Sequence, residues 1–317
     1  MKKIWYAPYK FESYGEEEIK AVEESLRSGW LGGQGPKSVE FEEKIAKRFG
    51  KKYGIFVNSG SSACLLAIAA LNLPKGCKII TPACTFSTTL SPIIQLGYKP
   101  KFVDVGLNDY VADIDQVIAA ITPDVKAIML PNLIGNKPNW KRLKQEIKLL
   151  GRTDIILIED SADTITETFE SDVATTSFYA SHIITAGGVG GMVMFNDKKH
   201  VTLALQYRDW GRLGDDSEIM DDRFKFESYG EEEIKAVEES LRSGWLGGHG
   251  PKSVEFEEKI AKRFGKKYGV FVNSGSSACL LAIAALNLPK GCKIITPACT
   301  FSTTLAPIIQ LGYQPNL

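Results

Sequence analysis

Four segments of this 317-residue chain carry residue types that do chemistry. Asn58-Ser59-Gly60-Ser61-Ser62-Ala63 lies between an apolar run and a helical stretch. Small residues there let backbone approach a ligand, and unpaired N–H groups at a helix start suit a phosphate dianion; an ordinary helix cap is the alternative. Thr81-Pro82-Ala83-Cys84-Thr85-Phe86-Ser87 offers an aromatic ring, either as a plate for a flat ligand or as a core side chain. Ile155-Ile156-Leu157-Ile158-Glu159-Asp160 is an apolar run that ends in two carboxylates, a pattern also common where a strand simply ends in exposed acids. His182 has a side chain whose ordinary pKa, about 6.5, lets it take up and return a proton near neutral pH. A lone histidine is more often structural than catalytic. No lysine occurs between Lys148 and Lys198, so that stretch has no amine to hold a carbonyl compound covalently.

These segments must be positioned by alternating strands and helices. Ser13-x-x-Glu16 reads as a capping box before an amphipathic helix carrying Ile19, Val22 and Leu26 on one face. Pro36 can open a second helix and Gly50 can end it. Strands are expected at Gly54–Val57 and near 78–81, 101–105, 126–130, 155–159, 174–179 and 191–195, with helices near 61–72, 85–96, 113–121 and 139–150. Such alternation implies an α/β fold, a mainly parallel sheet covered by helices on both faces. It leaves the strand order open.

Composition excludes several function classes. The 38 basic and 38 acidic residues cancel, which removes the electrostatic case for nucleic acid. No apolar run reaches the roughly 18 residues of a membrane span, and Met1–Pro8 has no apolar signal region, so a cytoplasmic location is expected. The six cysteines, Cys64, Cys77, Cys84, Cys279, Cys292 and Cys299, fit neither a zinc site nor a disulfide framework, and read as reduced core residues.

Residues 10–100 recur at 225–315, and only Gln34/His249, Ile55/Val270, Ser91/Ala306 and Lys99/Gln314 differ. Units this long and this alike are a duplication or a joining of two copies, not a solenoid. The first copy continues through Asp160, Ser177 and His182, whereas the second carries only a duplicate of the phosphate-type loop at Asn273–Ala278. Both copies could compete for one place in a sheet.

Taken together, NSGSSA before an apolar helix, Phe86, Glu159-Asp160 and the stretch Thr176–Gly188 resemble the DegT/DnrJ/StrS-type sugar aminotransferases, pyridoxal-phosphate enzymes of fold type I. The resemblance implies a large domain with a seven-stranded sheet at 1–223. Residues 224–317 are then a partial repeat standing where the family's small C-terminal domain begins. It also implies roles. Ser59, Gly60, Ser61, Ser62 and Ser177 would bind the cofactor phosphate, Phe86 would stack on the pyridine ring, and Asp160 would pair with the pyridine nitrogen. Trp30 and Leu31, in Gly29–Pro36, match a loop near the substrate at a dimer interface. His182 occupies the slot of the lysine that holds the cofactor in most members, and would be the catalytic residue.

That change is found in a subgroup, the 3-dehydratases of nucleotide-linked 4-keto-6-deoxyhexoses, which use pyridoxamine 5'-phosphate. Leu133-Ile134-Gly135-Asn136 and Arg208-Asp209-Trp210-Gly211-Arg212 resemble segments of the same subgroup. Leu213-Gly214-Asp215-Asp216 replaces the cysteines of its iron–sulfur members, which points to the cluster-free branch, best known for GDP-4-keto-6-deoxymannose, and to no metal. Two departures are visible. Ser161-Ala162-Asp163 stands where Ala-His or Ala-Gln is common, and Gly187-Gly188-Val189-Gly190-Gly191 replaces Gly-Glu-Gly-Gly. The expected partners are a nucleotide sugar, glutamate as amine donor, and a second chain in a homodimer. The rival readings are a cofactor-binding relative without catalysis and a duplicated, non-enzymatic scaffold.

Overall fold

The computed structural model describes residues 14–30, 35–209, 229–247 and 249–317. The chain divides into two compact units, Met1–Gly247 and Gly248–Leu317.

The first unit opens with α1 (Glu16–Arg27) and α2 (Pro36–Arg48). The cap of α1 falls later than the Ser13 box: Gly15 is the N-cap, and Glu18 accepts its N–H at 2.7 Å. Ser13 lies outside the described residues. Pro36 opens α2 as expected, because proline's missing N–H is not needed at a first turn. Gly50, at φ +67°, follows its end.

The remaining elements alternate as the apolar runs predict: β1 (Tyr53–Val57), α3 (Gly60–Leu71), β2 (Lys78–Pro82), α4 (Ser87–Gln95), β3 (Lys99–Val103), α5 (Ile114–Ala119), β4 (Val125–Pro131), a 3-10 turn at Leu133–Gly135, α6 (Trp140–Leu149), β5 (Ile156–Asp160), β6 (Val173–Ser177), β7 (Gly191–Phe195) and α7 (Lys198–Arg208). α8 (Glu231–Ser243) closes the unit. β3 starts two residues before the expected 101–105, because Lys99 and Pro100 already pair with Lys78 and Ile79 of β2.

The seven strands form one sheet in the order β1-β7-β6-β5-β4-β2-β3. Only β7 runs against its neighbours, antiparallel to both β1 and β6; the other pairings are parallel. The carboxyl ends of β1, β6, β5, β4 and β2 therefore share one edge. Such an edge is where open α/β sheets bind ligands.

α3 is apolar all round and lies between β6, β7 and α7, with Ala67, Ile68 and Ala70 fully buried. On the opposite face, Leu143, Ile147 and Trp140 of α6 pack with Val117, Ile128 and Leu157. Cys64 and Cys77 join the interior as expected. Cys84 and Cys299 are exposed, a correction with a simple cause: each sits in the short loop before a helix, off the sheet.

The second unit contains α9 (Pro251–Arg263), α10 (Gly275–Ala285), β8 (Lys293–Ile295), α11 (Ser302–Gln310) and β9 (Gln314–Asn316), with β8 and β9 parallel. Gly269–Val272, the counterpart of Gly54–Val57, is not a strand. A strand needs partners for its N–H and C=O groups, and β1 takes its own from β7, which is not repeated. The first copy thus fills the seven-stranded sheet.

Identical residues meet different surroundings. Leu66 is 8% exposed, whereas its counterpart Leu281 is 43% exposed. Leu66→Ala should lower stability by about 2–5 kcal/mol. Leu281→Ala should change it by less than about 0.5 kcal/mol. Thermal unfolding of the two variants checks this, and equal losses would contradict the assignment of the sheet to the first copy. Among the described residues, no helix is long and apolar enough to cross a membrane.

Candidate functional site

The cluster begins where β1 meets α3. Ser59 caps α3: its Oγ accepts the Ser62 N–H at 3.1 Å, and its hydroxyl donates to Ser62 Oγ at 3.1 Å. Gly60 and Ser61 follow in the first turn, where N–H groups have no intrahelical acceptor. Ser177, the last residue of β6, lies against this turn. A Cβ on Gly60 would sit 2.6 Å from the Ser177 Cβ and 3.1 Å from its Oγ. Ser59 also bridges to Gly190, so β1, β6 and the glycine segment meet at one point.

That close approach forms a cradle open only because residue 60 lacks a side chain. Gly60→Ala should therefore destabilise the fold by about 1–3 kcal/mol, although alanine ordinarily favours a helix. Retention of pyridoxamine phosphate should fall at least about tenfold, the equivalent of 1.4 kcal/mol. Melting temperature and cofactor retention after desalting measure the two effects.

β5 delivers the carboxylates, which successive strand positions send to opposite faces. Asp160 is buried beside α3 and α4: Thr89 donates to its Oδ2 at 2.8 Å, and Cys64 Sγ lies 3.6 Å from the same oxygen. Burial pushes the Asp160 carboxyl above the usual range, while the hydrogen bonds from Thr89 and Cys64 pull it down. Glu159 is fully buried on the other face, where Oε1 accepts from Asn132, Ser161 and Thr168, and Oε2 accepts from Ser171. This saturated carboxylate pins the loop after β5. The resemblance singles out Asp160 and gives Glu159 no role; the pleat sends the two to opposite faces.

Phe86 precedes α4 and is 68% exposed, so the core alternative for this ring is wrong. Position explains the exposure: Phe86 is the N-cap of α4, beyond the carboxyl end of β2. Its carbonyl accepts the Thr89 N–H at 3.0 Å, which links the exposed ring to the residue that holds Asp160.

His182 lies on the loop between β6 and β7. Its backbone N–H donates to the Tyr179 carbonyl at 2.9 Å, and the Tyr179 ring meets the imidazole edge-on at 6.0 Å between centroids. Nε2 is 3.9 Å from Asp163 Oδ1. Nδ1 is buried and, among the described residues, has no hydrogen-bond partner. The loop needs its glycines: Gly187, Gly188 and Gly190 all have positive φ, and Gly188 donates to Thr185 Oγ1 at 2.9 Å.

Asp163 was read only as a departure from a pattern. In the structure its Oδ2 accepts the Ile134 N–H at 3.1 Å. Ile134 adopts φ +55°, a strained conformation for a β-branched residue. The segment Leu133–Asn136 thus serves to hold the carboxylate that faces His182. Asp163 and Thr89 each stand three residues beyond an assigned residue, a signal visible in sequence only after the chain direction is known.

Other residues fall outside this cluster. Trp30 packs on Gly35 at the start of α2, and Leu31 lies outside the described residues. Arg208 donates to Glu42 Oε1 at 2.9 Å, and Glu42 accepts the Phe56 N–H at 2.7 Å, so Arg208 is an anchor for β1. Trp210–Asp216 lie outside the described residues.

The residues present fit a phosphate-bearing, flat, cationic-ring cofactor. A cradle that a Cβ would fill stands at one end, a buried carboxylate serves a ring nitrogen, and an exposed aromatic ring offers a plate. The unpartnered Nδ1 of His182 is a polar atom that a bound group can satisfy. Among the described residues, no group of acids, cysteines and histidines is arranged to hold a metal ion.

The GDP-4-keto-6-deoxy-D-mannose 3-dehydratase of Escherichia coli O55:H7 is 36% identical over 221 residues, covering 65% of this chain and 55% of that protein. The lipopolysaccharide biosynthesis protein RfbH of Salmonella typhimurium is 35% identical over 213 residues, covering 62% and 48%. The chain spans about half the length of the curated relatives it matches.

Among solved structures, the E. coli GDP-4-keto-6-deoxy-D-mannose-3-dehydratase with bound hydrated PLP aligns with a TM-score of 0.59 at 24% identity, over 99% of this chain and 91% of that one. 3-Amino-5-hydroxybenzoic acid synthase aligns with a TM-score of 0.59 at 27% identity, over 68% and 57%. The model of the DegT/DnrJ/EryC1/StrS aminotransferase family matches residues 12–224 and, a second time, residues 227–317. The chain belongs to that family.

Proposed function

We propose that this chain binds pyridoxamine 5'-phosphate, interconverting with pyridoxal 5'-phosphate, and carries out 3-dehydration of a nucleotide-linked 4-keto-6-deoxyhexose in deoxysugar biosynthesis. The observation that carries this reading is His182: a histidine stands in the cofactor-lysine slot, faces Asp163 and has a buried, unpartnered Nδ1. The names of the relatives, 3-dehydratases among them, support it.

When bound, the cofactor supplies an amine for the C4 ketone of the sugar and a ring that takes up electrons. Ser59–Ser62 and Ser177 bind the phosphate dianion through hydroxyls and the first N–H groups of α3. Asp160 accepts a charge-assisted hydrogen bond from the ring nitrogen and keeps it protonated. Phe86 covers one face of the ring. His182 moves a proton at the amine-bearing carbon of the cofactor, and Asp163, 3.9 Å from Nε2, orients the imidazole.

The bound cofactor would supply the two electrons that release the C3 hydroxyl, and its nitrogen would leave as ammonia when water frees the 3-deoxy-4-keto sugar. Glutamate would restore the amine form, and Trp30 and Leu31 would border the sugar. A homodimer and a cytoplasmic location complete the proposal, with residues 1–223 as the cofactor-binding domain and 224–317 as the partial repeat.

The alternative is a cofactor-binding relative without turnover. It is favoured by one observation, that Gly187-Gly188-Val189-Gly190-Gly191 stands in place of the Gly-Glu-Gly-Gly segment.

The test is an absorbance spectrum after loading with pyridoxamine phosphate and desalting, repeated with pyridoxal phosphate and borohydride. The proposal expects retained near-ultraviolet absorbance without a borohydride-fixed adduct, then a 3-deoxy product from a nucleotide-linked 4-keto-6-deoxyhexose. Retention without product supports the alternative, and failure to retain either form overturns both.

A further inference from the structure

α1 and α8 have identical sequences and pack against each other. Their contacts are exchanged across the pair. The Tyr14 hydroxyl donates to the Leu241 carbonyl at 2.6 Å, and the Tyr229 hydroxyl, its repeat, donates to the Leu26 carbonyl at 2.6 Å. Arg27 Nη2 donates to Glu231 at 2.8 Å, and Arg242 Nη2 donates to Glu16 at 2.8 Å. In each case residue n of one copy meets residue m of the other, and m meets n. This is the signature of an isologous contact, in which one surface is complementary to itself. Two subunits usually make such a contact. Here one chain makes it with its own repeat.

The pairing has a consequence for the His182 loop. α8 ends at Gly244, at φ +77°, and leads into Trp245, Leu246 and Gly247. Those residues reach the loop between β6 and β7. A Cβ on Gly188 would lie 1.6 Å from the Leu246 carbonyl oxygen, and one on Gly247 would lie 3.1 Å from the Tyr179 ring. Backbone meets backbone there because both positions are glycine. Tyr179 in turn meets the His182 ring.

We infer that the segment 14–30 is a self-pairing element whose partner in this chain is the repeat, and that the repeat thereby supplies, in cis, a wall of the His182 loop that a second copy of the chain would otherwise bring. The inference rests on reading that loop as part of the functional site. It gives the repeat a task, which is to close α1 and to place Leu246 and Gly247.

Cross-linking tests it without cofactor or turnover. Arg242→Lys in the full chain puts an amine where Arg242 meets Glu16. A carbodiimide should then join the Lys-substituted position to Glu16 as an amide, with loss of water. The product should run at single-chain mass on a denaturing gel, and the link should vanish in the Glu16→Gln/Arg242→Lys double variant. A link that doubles the mass, or one no more abundant than in the double variant, overturns the pairing in cis.

The second measurement is hydrogen exchange in Arg242→Glu, whose new carboxylate faces Glu16 and Glu238. Amides 179–190 should exchange at least several-fold faster than in the native chain. Unchanged exchange there overturns the role of Leu246 and Gly247. Loss of the dehydratase reading would leave both readouts intact, and the native mass tests the homodimer separately.

Discussion

Replacing His182 by asparagine is expected to lower dehydration turnover by about 10²–10⁴-fold, the usual contribution of a positioned acid–base group, while retention of pyridoxamine phosphate stays within about twofold. Asparagine keeps a polar side chain of similar reach but cannot carry a proton near neutral pH. The phosphate cradle at Ser59–Gly60 and Ser177 is formed by other elements and should not respond. Rates on a nucleotide-linked 4-keto-6-deoxyhexose, measured beside the desalted absorbance spectrum, separate the two effects. Full turnover in the variant would remove His182 from the chemistry. Asp163→Asn should give a smaller loss of turnover, since the carboxylate 3.9 Å from Nε2 helps to orient the imidazole.

Asp160→Asn is expected to weaken cofactor retention on the order of ten- to a hundredfold, because a hydrogen bond to a charged group is worth roughly 1.5–3 kcal/mol. The effect on the unliganded protein should have the opposite sign. Burial raises the folded-state pKa of Asp160, so its contribution to stability is present below the unfolded value of about 3.9 and is lost as pH rises through the folded one. Asparagine can still accept from Thr89 without that penalty. At neutral pH the cofactor-free variant should therefore melt no lower than the native chain, and the difference should shrink as pH falls toward 4. A variant that melts much lower at neutral pH would show that the carboxylate is held for structure alone.

Much of this was legible in sequence because it depends on local pattern. The run Gly60–Leu71 is helical and apolar all round, so it had to be buried on more than one side, and it is. Ala127–Leu130 of β4 and Ile156–Ile158 of β5 are unbroken apolar runs, which mark strands covered on both faces. The reversed direction of β7 was not legible. Gly-Met-Val-Met-Phe is buried along its whole length, and nothing in a two-sided apolar strand records its direction. α7 was missed for a related reason, as only Ala204 of its residues is buried and the apolar face is faint.

At the site, Ser59, Ser177, Asp160 and His182 were identified through resemblance. Thr89 and Asp163 were not, because their roles depend on how loops fold back onto Asp160 and His182. The fate of the two copies was beyond any local pattern, since their sequences nearly coincide and only their neighbours differ.

The run Gly-Ser-Ser-Ala-Cys-Leu-Leu-Ala-Ile-Ala-Ala is folded inward in α3 and has no buried residue in α10. Phe271, Leu280 and Leu281 are among the apolar side chains that the second unit presents outward. In a cell, exposed apolar surface of this kind is what chaperones bind and what draws a chain into quality control. The lifetime of the polypeptide should then be set by the unit 248–317, while the unit that carries Ser59, Asp160 and His182 sets what it can bind. Selection on the two copies should accordingly differ, with surface charges gained in α10 at positions where α3 must stay apolar.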